Sequence, residues 1–144
     1  MVEILLIEDN PYEAELAIRT LKKSNLTNNL HHIDDGAEAL DFIFEQGRYA
    51  GTGRSNPKLI LLDIKLPKVD GIEILKQLKA NEKTKTIPVV ILTSSKESQD
   101  IKACYELGAN TYIQKPVDFD GLIAATKRLK EYWFEIAILP KDAT

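Results

Sequence analysis

The amino-acid sequence predicts an α/β protein with a doubly wound, five-stranded parallel β-sheet and helices on both faces. Apolar runs of strand length alternate along the chain with stretches whose apolar residues repeat at helical spacing. The central runs are apolar at every position, as in strands that helices cover on both faces. The chain has 144 residues, of which 44% are hydrophobic and 28% are charged, and these values are typical of one globular domain.

Five strand-sized segments account for the predicted sheet. Four of them are apolar and occupy residues 2–7, 59–62, 87–92 and 111–113. The fifth, residues 30–33, contains His31 and His32 and no continuous apolar run, so we place it at an edge of the sheet. Because no third ligand is evident, the two histidines are interpreted as strand residues rather than metal ligands. Right-handed crossovers then favour the flavodoxin-like strand order 2-1-3-4-5.

Two segments between the strands have a single apolar face. Their apolar positions recur at helical spacing and are Ala14, Ala17, Ile18 and Leu21 in the first segment and Ile101, Cys104, Tyr105 and Gly108 in the second. This spacing predicts two amphipathic helices, and it places Cys104 in the core. Glycine commonly ends helices, so the second helix is predicted to end at Gly108.

Capping residues predict where three helices begin. Asn10, Asp35 and Asp70 each precede a helical segment and can accept hydrogen bonds from its first backbone N–H groups. A glutamate follows three residues after each of them, as in the capping box, in which the glutamate reaches back to the cap. We therefore expect helices to begin directly after positions 10, 35 and 70.

Charge and composition exclude several functions. Lys and Arg total 19 against 22 Asp and Glu, a formal net charge of −3, which leaves no broad positive surface for nucleic acid. No apolar run approaches the roughly 18 residues of a membrane span, and the N-terminus lacks the positive charge of a signal peptide. The single cysteine permits no internal disulfide and suits a reducing compartment. We expect a cytoplasmic protein that binds neither nucleic acid nor a membrane.

Polar residues follow four of the five predicted strands. They are Glu8 and Asp9 after the first strand, Asp63 after the third, Thr93 and Ser94 after the fourth, and Lys115 with Pro116 after the fifth. In an open α/β sheet, ligands bind beyond the carboxyl ends of the strands, so these residues are expected to form one site.

The three carboxylates in this group imply a cation. Glu8, Asp9 and Asp63 would raise one another's pKa if they converged without one, and oxygen ligands without histidine or cysteine favour Mg²⁺. Lys115 and Thr93 suit the oxygens of a phosphoryl group, and Asp63 can accept that group as a nucleophile. The predicted product is an aspartyl phosphate.

The same residues have other interpretations. Each one alone could be a residue that favours a helix N-terminus, a turn residue or a solvated lysine, but all of them are expected at one edge of the sheet. A haloacid-dehalogenase-like phosphohydrolase is the alternative function, although it needs a second aspartate where this chain has Lys65. A nucleotide or flavin module needs a glycine loop, and neither the first strand–helix turn nor the Gly51-Thr52-Gly53 segment has that setting.

From residue 2 to about residue 132, the chain resembles the receiver domain of two-component response regulators. The resemblance rests on the acidic pair Glu8-Asp9, the D-x-x-x-P-x-x-D-G segment that Asp63 opens, Thr93, Tyr112 and the Lys115-Pro116 dipeptide. It implies that a histidine kinase phosphorylates Asp63, and that Thr93 and Tyr112 form a switch. It further implies that Asp9, Asp63 and the Lys65 backbone carbonyl hold Mg²⁺, with Glu8 acting through water, and that the bond before Pro116 is cis.

The loop at residues 48–57 and the apolar tail at 132–140 are similar to those of stand-alone receivers that partner cyanobacterial phytochrome histidine kinases. This resemblance implies one receiver domain over residues 1–144, with a C-terminal extension from about residue 133 and no output domain. Its only catalysis would be self-catalysed phosphorylation and autodephosphorylation. We expect a homodimer through the C-terminal half, because the tail adds apolar residues beyond those that one helix face needs. The alternative is that the tail folds back over its own sheet edge.

Overall fold

The computed structural model of the protein describes residues 3–25, 29–53, 56–94, 97–115 and 119–130. These residues form five strands, β1 (Ile4–Ile7), β2 (Leu30–Ile33), β3 (Leu59–Leu62), β4 (Val89–Thr93) and β5 (Thr111–Gln114). They also form five α-helices, α1 (Pro11–Lys23), α2 (Gly36–Ile43), α3 (Gly71–Ala80), α4 (Ser98–Glu106) and α5 (Phe119–Lys130), and a short 3₁₀ helix at Gly47–Tyr49. The predicted alternation of strand and helix is confirmed.

All five strands are parallel and follow the order β2-β1-β3-β4-β5, as predicted, with β2 at one edge. The register aligns Ile7 with Ile33 on one side and with Leu62 on the other. The carboxyl ends of β1, β2 and β3 are therefore level. Residues that directly follow these strands emerge side by side, and this register creates the site described below.

Strand β4 differs from its prediction, because it covers residues 89–93 rather than 87–92. Pro88 has no backbone N–H to donate to the sheet, although its carbonyl still accepts a hydrogen bond from Ile60 N at 3.0 Å. The N–H of Ile87 donates to Thr84 O in the preceding turn. At the other end Thr93 remains within the strand, aligned with Gln114 of β5.

Alternate residues of the strands supply two apolar layers, one on each face of the sheet. One layer contains Leu5, Ile7, Ile60 and Leu62 and packs against α2, α3 and α4. The other contains Ile4, Leu6, Leu59 and Leu61 and packs against α1 and α5. Cys104 belongs to the first layer and is fully buried, which confirms its predicted place in the core.

The three predicted N-caps are confirmed, but the predicted return bonds from their glutamates are not: Glu38 binds Arg48 and Glu73 binds Gln77. The side chains of Asn10, Asp35 and Asp70 accept hydrogen bonds from backbone N–H groups at the starts of α1, α2 and α3. At α1 the Asn10 N–H donates to Glu8 Oε2 at 3.2 Å, whereas Glu13 binds the ammonium group of Lys115. The prediction that Glu13 reaches back to Asn10 is therefore wrong, because a charged partner competes for it.

Gly108 ends α4 as predicted, with a φ of 106°. The N–H of Gly108 donates to Tyr105 O, and the N–H of Ala109 donates to Cys104 O. These two bonds are the Schellman arrangement, which requires a left-handed residue after the helix. The chain then turns directly into β5.

The loop after α2 begins with the 3₁₀ helix, where Arg48 Nη2 lies 2.8 Å from Glu38 Oε1. Gly51 and Gly53 follow in exposed positions with positive φ. Pro116 and the tail at 131–144 lie outside the described residues, and so do the predicted cis bond and C-terminal extension. None of the helices in the described segments is long and apolar enough to cross a bilayer.

Candidate functional site: an acidic cluster at the carboxyl edge of the sheet

Three carboxylates converge where β1 and β3 end. Glu8 and Asp9 follow β1, and Asp63 follows β3, which lies beside it. Each side chain offers an oxygen, and the three oxygens lie within 4.8 Å of one another. Glu8 is 2% exposed and Asp63 is 4% exposed, whereas Asp9 lies at the surface. The predicted convergence of these residues is therefore present, and the cluster opens to solvent on the side of Asp9.

Hydrogen bonds fix the orientation of the two buried carboxylates. Glu8 Oε2 accepts from the N–H of Asn10, and the Glu8 backbone carbonyl accepts from His32 Nε2 at 2.8 Å. Asp63 Oδ1 accepts from the N–H of Lys65 at 3.0 Å. His32 thus acts as a strand residue that supports the site through the backbone. The bonds from Asn10 and Lys65 preorganise the two carboxylates.

Lys115 carries the positive charge of the site. It follows β5, and its backbone N–H donates to Thr93 O at 2.8 Å. Its ammonium nitrogen lies 2.5 Å from Glu8 Oε1, 2.5 Å from Glu13 Oε2 and 3.0 Å from Asp63 Oδ2. Burial lowers the pKa of Lys115, but the hydrogen bonds to Glu13, Glu8 and Asp63 outweigh burial and raise it above its ordinary value. Lys115 therefore stays protonated at neutral pH.

The pKa of Glu8 reports how burial and neighbouring charges act on the cluster. Burial is the main cause that raises this pKa from 4.5 to about 7, and the negative charge of Asp63 raises it further, against the hydrogen bond from Lys115. The hydrogen bond from Lys115 therefore does not offset the burial of Glu8 and the charge of Asp63. A bound cation would favour the ionised carboxylates.

The donor set of the cluster fits a hard divalent cation. It consists of carboxylate oxygens within 4.8 Å of one another, and such oxygens are preferred by Mg²⁺, Mn²⁺ and Ca²⁺. Two of the three carboxylates are buried and already oriented, while the third is exposed, so a cation could keep water ligands on the open side. Lys65 stands at the rim, with its ammonium nitrogen 3.9 Å from Asp100 Oδ2.

Thr93 and Tyr112, the two predicted switch residues, lie on neighbouring strands. Thr93 is the last residue of β4 and is fully buried. It aligns with Gln114 of β5, and Tyr112 stands two residues earlier on the same strand. Because side chains alternate along a strand, Thr93 and Tyr112 are on the same face of the sheet. Tyr112 is half-buried there against the layer beneath α4. Ser94, which follows Thr93, is exposed.

The Asp70-Gly71 dipeptide has a steric role beside the site. Gly71 is the first residue of α3, and its N–H donates to Ile64 O. A Cβ atom at position 71 would lie 2.4 Å from Ile64 Cα, which is closer than any side chain allows. Helix α3 therefore begins directly on the backbone that follows Asp63, and only glycine permits this approach.

Glu13 is the site residue that sequence reasoning missed. Its spacing from Asn10 predicts a capping residue, yet its carboxylate contacts Lys115 across 102 positions of sequence. The sequence contains a signal that places Glu13 near the site. Pro11 starts α1 two residues after Asp9, so the first turn of α1 must lie over the ends of the strands.

An acidic cluster and a buried lysine at the carboxyl edge of a doubly wound sheet are typical of proteins that accept phosphoryl groups on aspartate. The chain matches the response regulator receiver domain family over residues 4–127. It therefore belongs to that family, and the predicted class of protein, a phosphoryl-accepting receiver of two-component signalling, is confirmed. Receivers of this kind work with histidine kinases. The family does not favour the alternative of a phosphohydrolase.

Individual relatives match almost the whole chain. The probable methanogenesis regulatory protein FilR2 of Methanothrix harundinacea is 41% identical over 130 residues, which are 90% of this chain and 82% of FilR2. The response regulator Rcp1 of Synechocystis is 39% identical over 137 residues, which are 95% of this chain and 92% of Rcp1.

Two solved structures support the same assignment. The Mn²⁺-bound form of Rcp1 has a TM-score of 0.80 and 38% identity, and the match covers 97% of this chain and 99% of Rcp1. The phosphorylated cyanobacterial phytochrome response regulator RcpA has a TM-score of 0.80 and 37% identity, and covers 96% and 98% of the two chains. The resemblance to phytochrome response regulators is thereby confirmed.

Proposed function

We propose that Asp63 is the residue that accepts the phosphoryl group. The carrying observation is that this buried carboxylate stands 3.0 Å from the Lys115 ammonium group and within 4.8 Å of Glu8 and Asp9. An oxygen of Asp63 attacks the phosphorus of a phosphohistidine. The new O–P bond forms as the N–P bond breaks, and the imidazole nitrogen leaves with the bonding electrons. With acetyl phosphate as donor, acetate leaves instead.

Mg²⁺ is the cation that we assign to the cluster. Asp9, Asp63 and the backbone carbonyl of Lys65 would hold it, with Glu8 contributing through a water molecule. When bound, the ion supplies positive charge that offsets the charge on the phosphoryl oxygens. The relative Rcp1 has a solved Mn²⁺-bound form, and Mn²⁺ and Mg²⁺ share a preference for carboxylate oxygens.

The protein's own residues supply positioning and charge for the reaction. Lys115 holds a permanent positive charge beside the reacting oxygen, and the N–H of Lys65 fixes the orientation of the Asp63 carboxylate. In a loose phosphoryl transition state, catalysis consists mainly of positioning and charge stabilisation, and these residues contribute to both. The receiver would thus catalyse its own phosphorylation and its own dephosphorylation, without acting on another substrate.

Thr93 and Tyr112 are proposed to convert phosphorylation into a change of surface. The Thr93 hydroxyl would turn towards the phosphoryl group on Asp63 and leave space on its face of the sheet. Tyr112 lies on that face, half-buried beside α4, and would rotate into the space. The result is a changed surface on α4, β5 and α5.

The partner that we propose is a phytochrome-type histidine kinase, by similarity to Rcp1 and RcpA. We further propose that residues 1–144 act as one receiver and that two copies associate through the C-terminal half. The cytoplasmic location and the lack of nucleic-acid binding stay predictions from the sequence.

Phosphotransfer to Asp63 is tested by intact mass spectrometry. The protein is incubated with Mg²⁺ and acetyl phosphate, and in parallel with a phosphorylated phytochrome-type kinase. We expect the mass to increase by one phosphoryl group in wild type and not in Asp63→Asn, and chelation of the metal should abolish labelling. Labelling that persists in Asp63→Asn would overturn the assignment of this residue.

A further inference from the structure

Lys115 has no hydrogen-bond donor to spare for a phosphoryl group. An ammonium group has three N–H donors, and three carboxylates already occupy them at 2.5 Å, 2.5 Å and 3.0 Å. Two of these carboxylates, Glu8 and Asp63, belong to the cluster at the strand ends. The third comes from Glu13, on the first turn of α1. A phosphoryl oxygen can bind Lys115 only if one of the three partners leaves.

Glu13 is the partner that can leave with the least disruption. The Glu8 side chain is 3% exposed and also accepts a hydrogen bond from Asn10, so its departure would leave a buried charge unpaired. Asp63 carries the phosphoryl group itself, so the charged phosphoryl oxygens replace its own contact with Lys115 and compete with Glu8 and Glu13 for the same ammonium group. Glu13 is 35% exposed, and a rotation of its side chain would place the carboxylate in water at the surface of α1.

We propose that Glu13 is an exchangeable ligand of Lys115, which competes with the phosphoryl group and is displaced when Asp63 is phosphorylated. This inference rests on the proposed function of Asp63 and concerns the regulation of the same site. The pair between Glu13 and Lys115 exists only in the unphosphorylated state, so it stabilises that state alone. By linkage, removal of the pair shifts the protein towards the phosphorylated conformation.

Charge repulsion acts in the same direction as competition. Glu13 and Asp63 contact the same nitrogen atom, so a phosphoryl group on Asp63 would adjoin the Glu13 carboxylate. Two negative charges that adjoin the same ammonium group repel each other strongly where water is partly excluded. Glu13 is thus a positioning residue for Lys115, and it sets how readily the phosphoryl group is bound and how long it is kept.

The test measures the affinity for beryllofluoride, a phosphoryl mimic, by isothermal titration calorimetry in the presence of Mg²⁺. Glu13→Gln preserves shape and removes the charge, and we expect it to bind beryllofluoride about five- to tenfold more tightly than wild type. Glu13→Asp keeps the charge but shortens the reach, so it should also bind more tightly. Unchanged or weaker affinity in Glu13→Gln would overturn the proposal.

Glu15→Gln is the matched control, because Glu15 lies on the same helix and pairs with Arg19 rather than Lys115. It makes the same change of net charge, and its affinity should stay within about twofold of wild type. An equal gain in Glu15→Gln and Glu13→Gln would show a general charge effect and would also refute the proposal. If wild type itself bound no beryllofluoride, the proposed function would fail instead.

A crystal structure of wild type with Mg²⁺ and beryllofluoride would show the position of the Glu13 side chain directly. A purely stabilising role for Glu13 would leave that side chain in place. We expect Lys115 Nζ to contact a fluorine atom and the Glu13 carboxylate to point into solvent. A structure in which Glu13 still binds Lys115 beside the fluorine would contradict the exchange directly.

Discussion

Gly71 lies so close to Asp63 that a Cβ atom at position 71 would stand 2.3 Å from the Asp63 carbonyl oxygen. The start of α3 and the proposed phosphoacceptor are therefore in direct backbone contact. A side chain at position 71 would push the strand end away from its neighbours, and the geometry of the cluster depends on that strand end.

Gly71→Ala should both destabilise the protein and impair the site. The new methyl group must displace backbone rather than a flexible side chain, so we expect the free energy of unfolding to fall by about 2–3 kcal/mol. Urea denaturation measures this change, and acetyl phosphate labelling measures the damage to the site. Lys76→Ala, at an exposed position of the same helix, is the control and should change stability by less than about 0.5 kcal/mol. Equal effects of the two substitutions would contradict the steric role.

Lys115→Ala should leave the fold intact and slow phosphorylation of Asp63 by about 100-fold, because it removes the positive charge nearest the reacting oxygen. Far-UV circular dichroism reports the fold, and the rate of labelling with acetyl phosphate reports the chemistry. Lys79→Ala removes another half-buried lysine, one that donates to backbone carbonyls of Lys85 and Ile87. This control should reduce stability without a specific loss of labelling. A Lys115→Ala protein that is phosphorylated at the wild-type rate would refute the role of the ammonium group.

The raised pKa of Glu8 predicts that metal-free protein loses stability as the pH rises. Burial first, and the charge of Asp63 with it, move this pKa from 4.5 to about 7, so in that range the folded state binds a proton that the unfolded state has released. The free energy of unfolding should therefore fall between pH 4.5 and about 7, by at most about 1.4 kcal/mol per pH unit from this group. Urea denaturation at several pH values, in the presence of a chelator, checks the slope.

Two further measurements identify Glu8 as the source of that slope. Glu8→Gln has no titrating group at this position, so its stability should depend less on pH than that of wild type. Mg²⁺ favours the ionised carboxylates, so its stabilising effect should grow with pH over the same range. If wild type and Glu8→Gln had parallel pH profiles, Glu8 would not be the group that titrates.

Self-association is predicted to depend on the apolar C-terminal tail. Sedimentation of the full chain is compared with that of a chain ending at Tyr132, with and without Mg²⁺ and beryllofluoride. We expect a dimer only for the full chain, because surplus apolar surface drives association. A chain that lacks only residues 141–144, which lie beyond the apolar segment, is the control and should behave like the full chain. A monomer in every condition up to about 100 μM, an association weaker than about 5.5 kcal/mol, would leave the tail as a cover for its own sheet.

The amino-acid sequence by itself determined the sheet, its order and the residues at its carboxyl edge. Strand β3 is apolar at every position, and this pattern is local and readable without coordinates. Asp63 follows such a strand directly, as Glu8 follows β1. In a parallel sheet the ends of neighbouring strands must meet, so the convergence of the carboxylates followed from topology alone.

Only the tertiary structure decided which charges pair. Glu13 and Lys115 are 102 positions apart, and their contact depends on how α1 crosses the strand ends and on the side-chain conformations chosen there. Local sequence offered Glu13 a plausible partner in Asn10, but the buried ammonium group attracts the carboxylate more strongly than one backbone N–H does. The pKa of Glu8 and the backbone contact at Gly71 likewise depend on burial and packing distance, which arise only when the elements assemble.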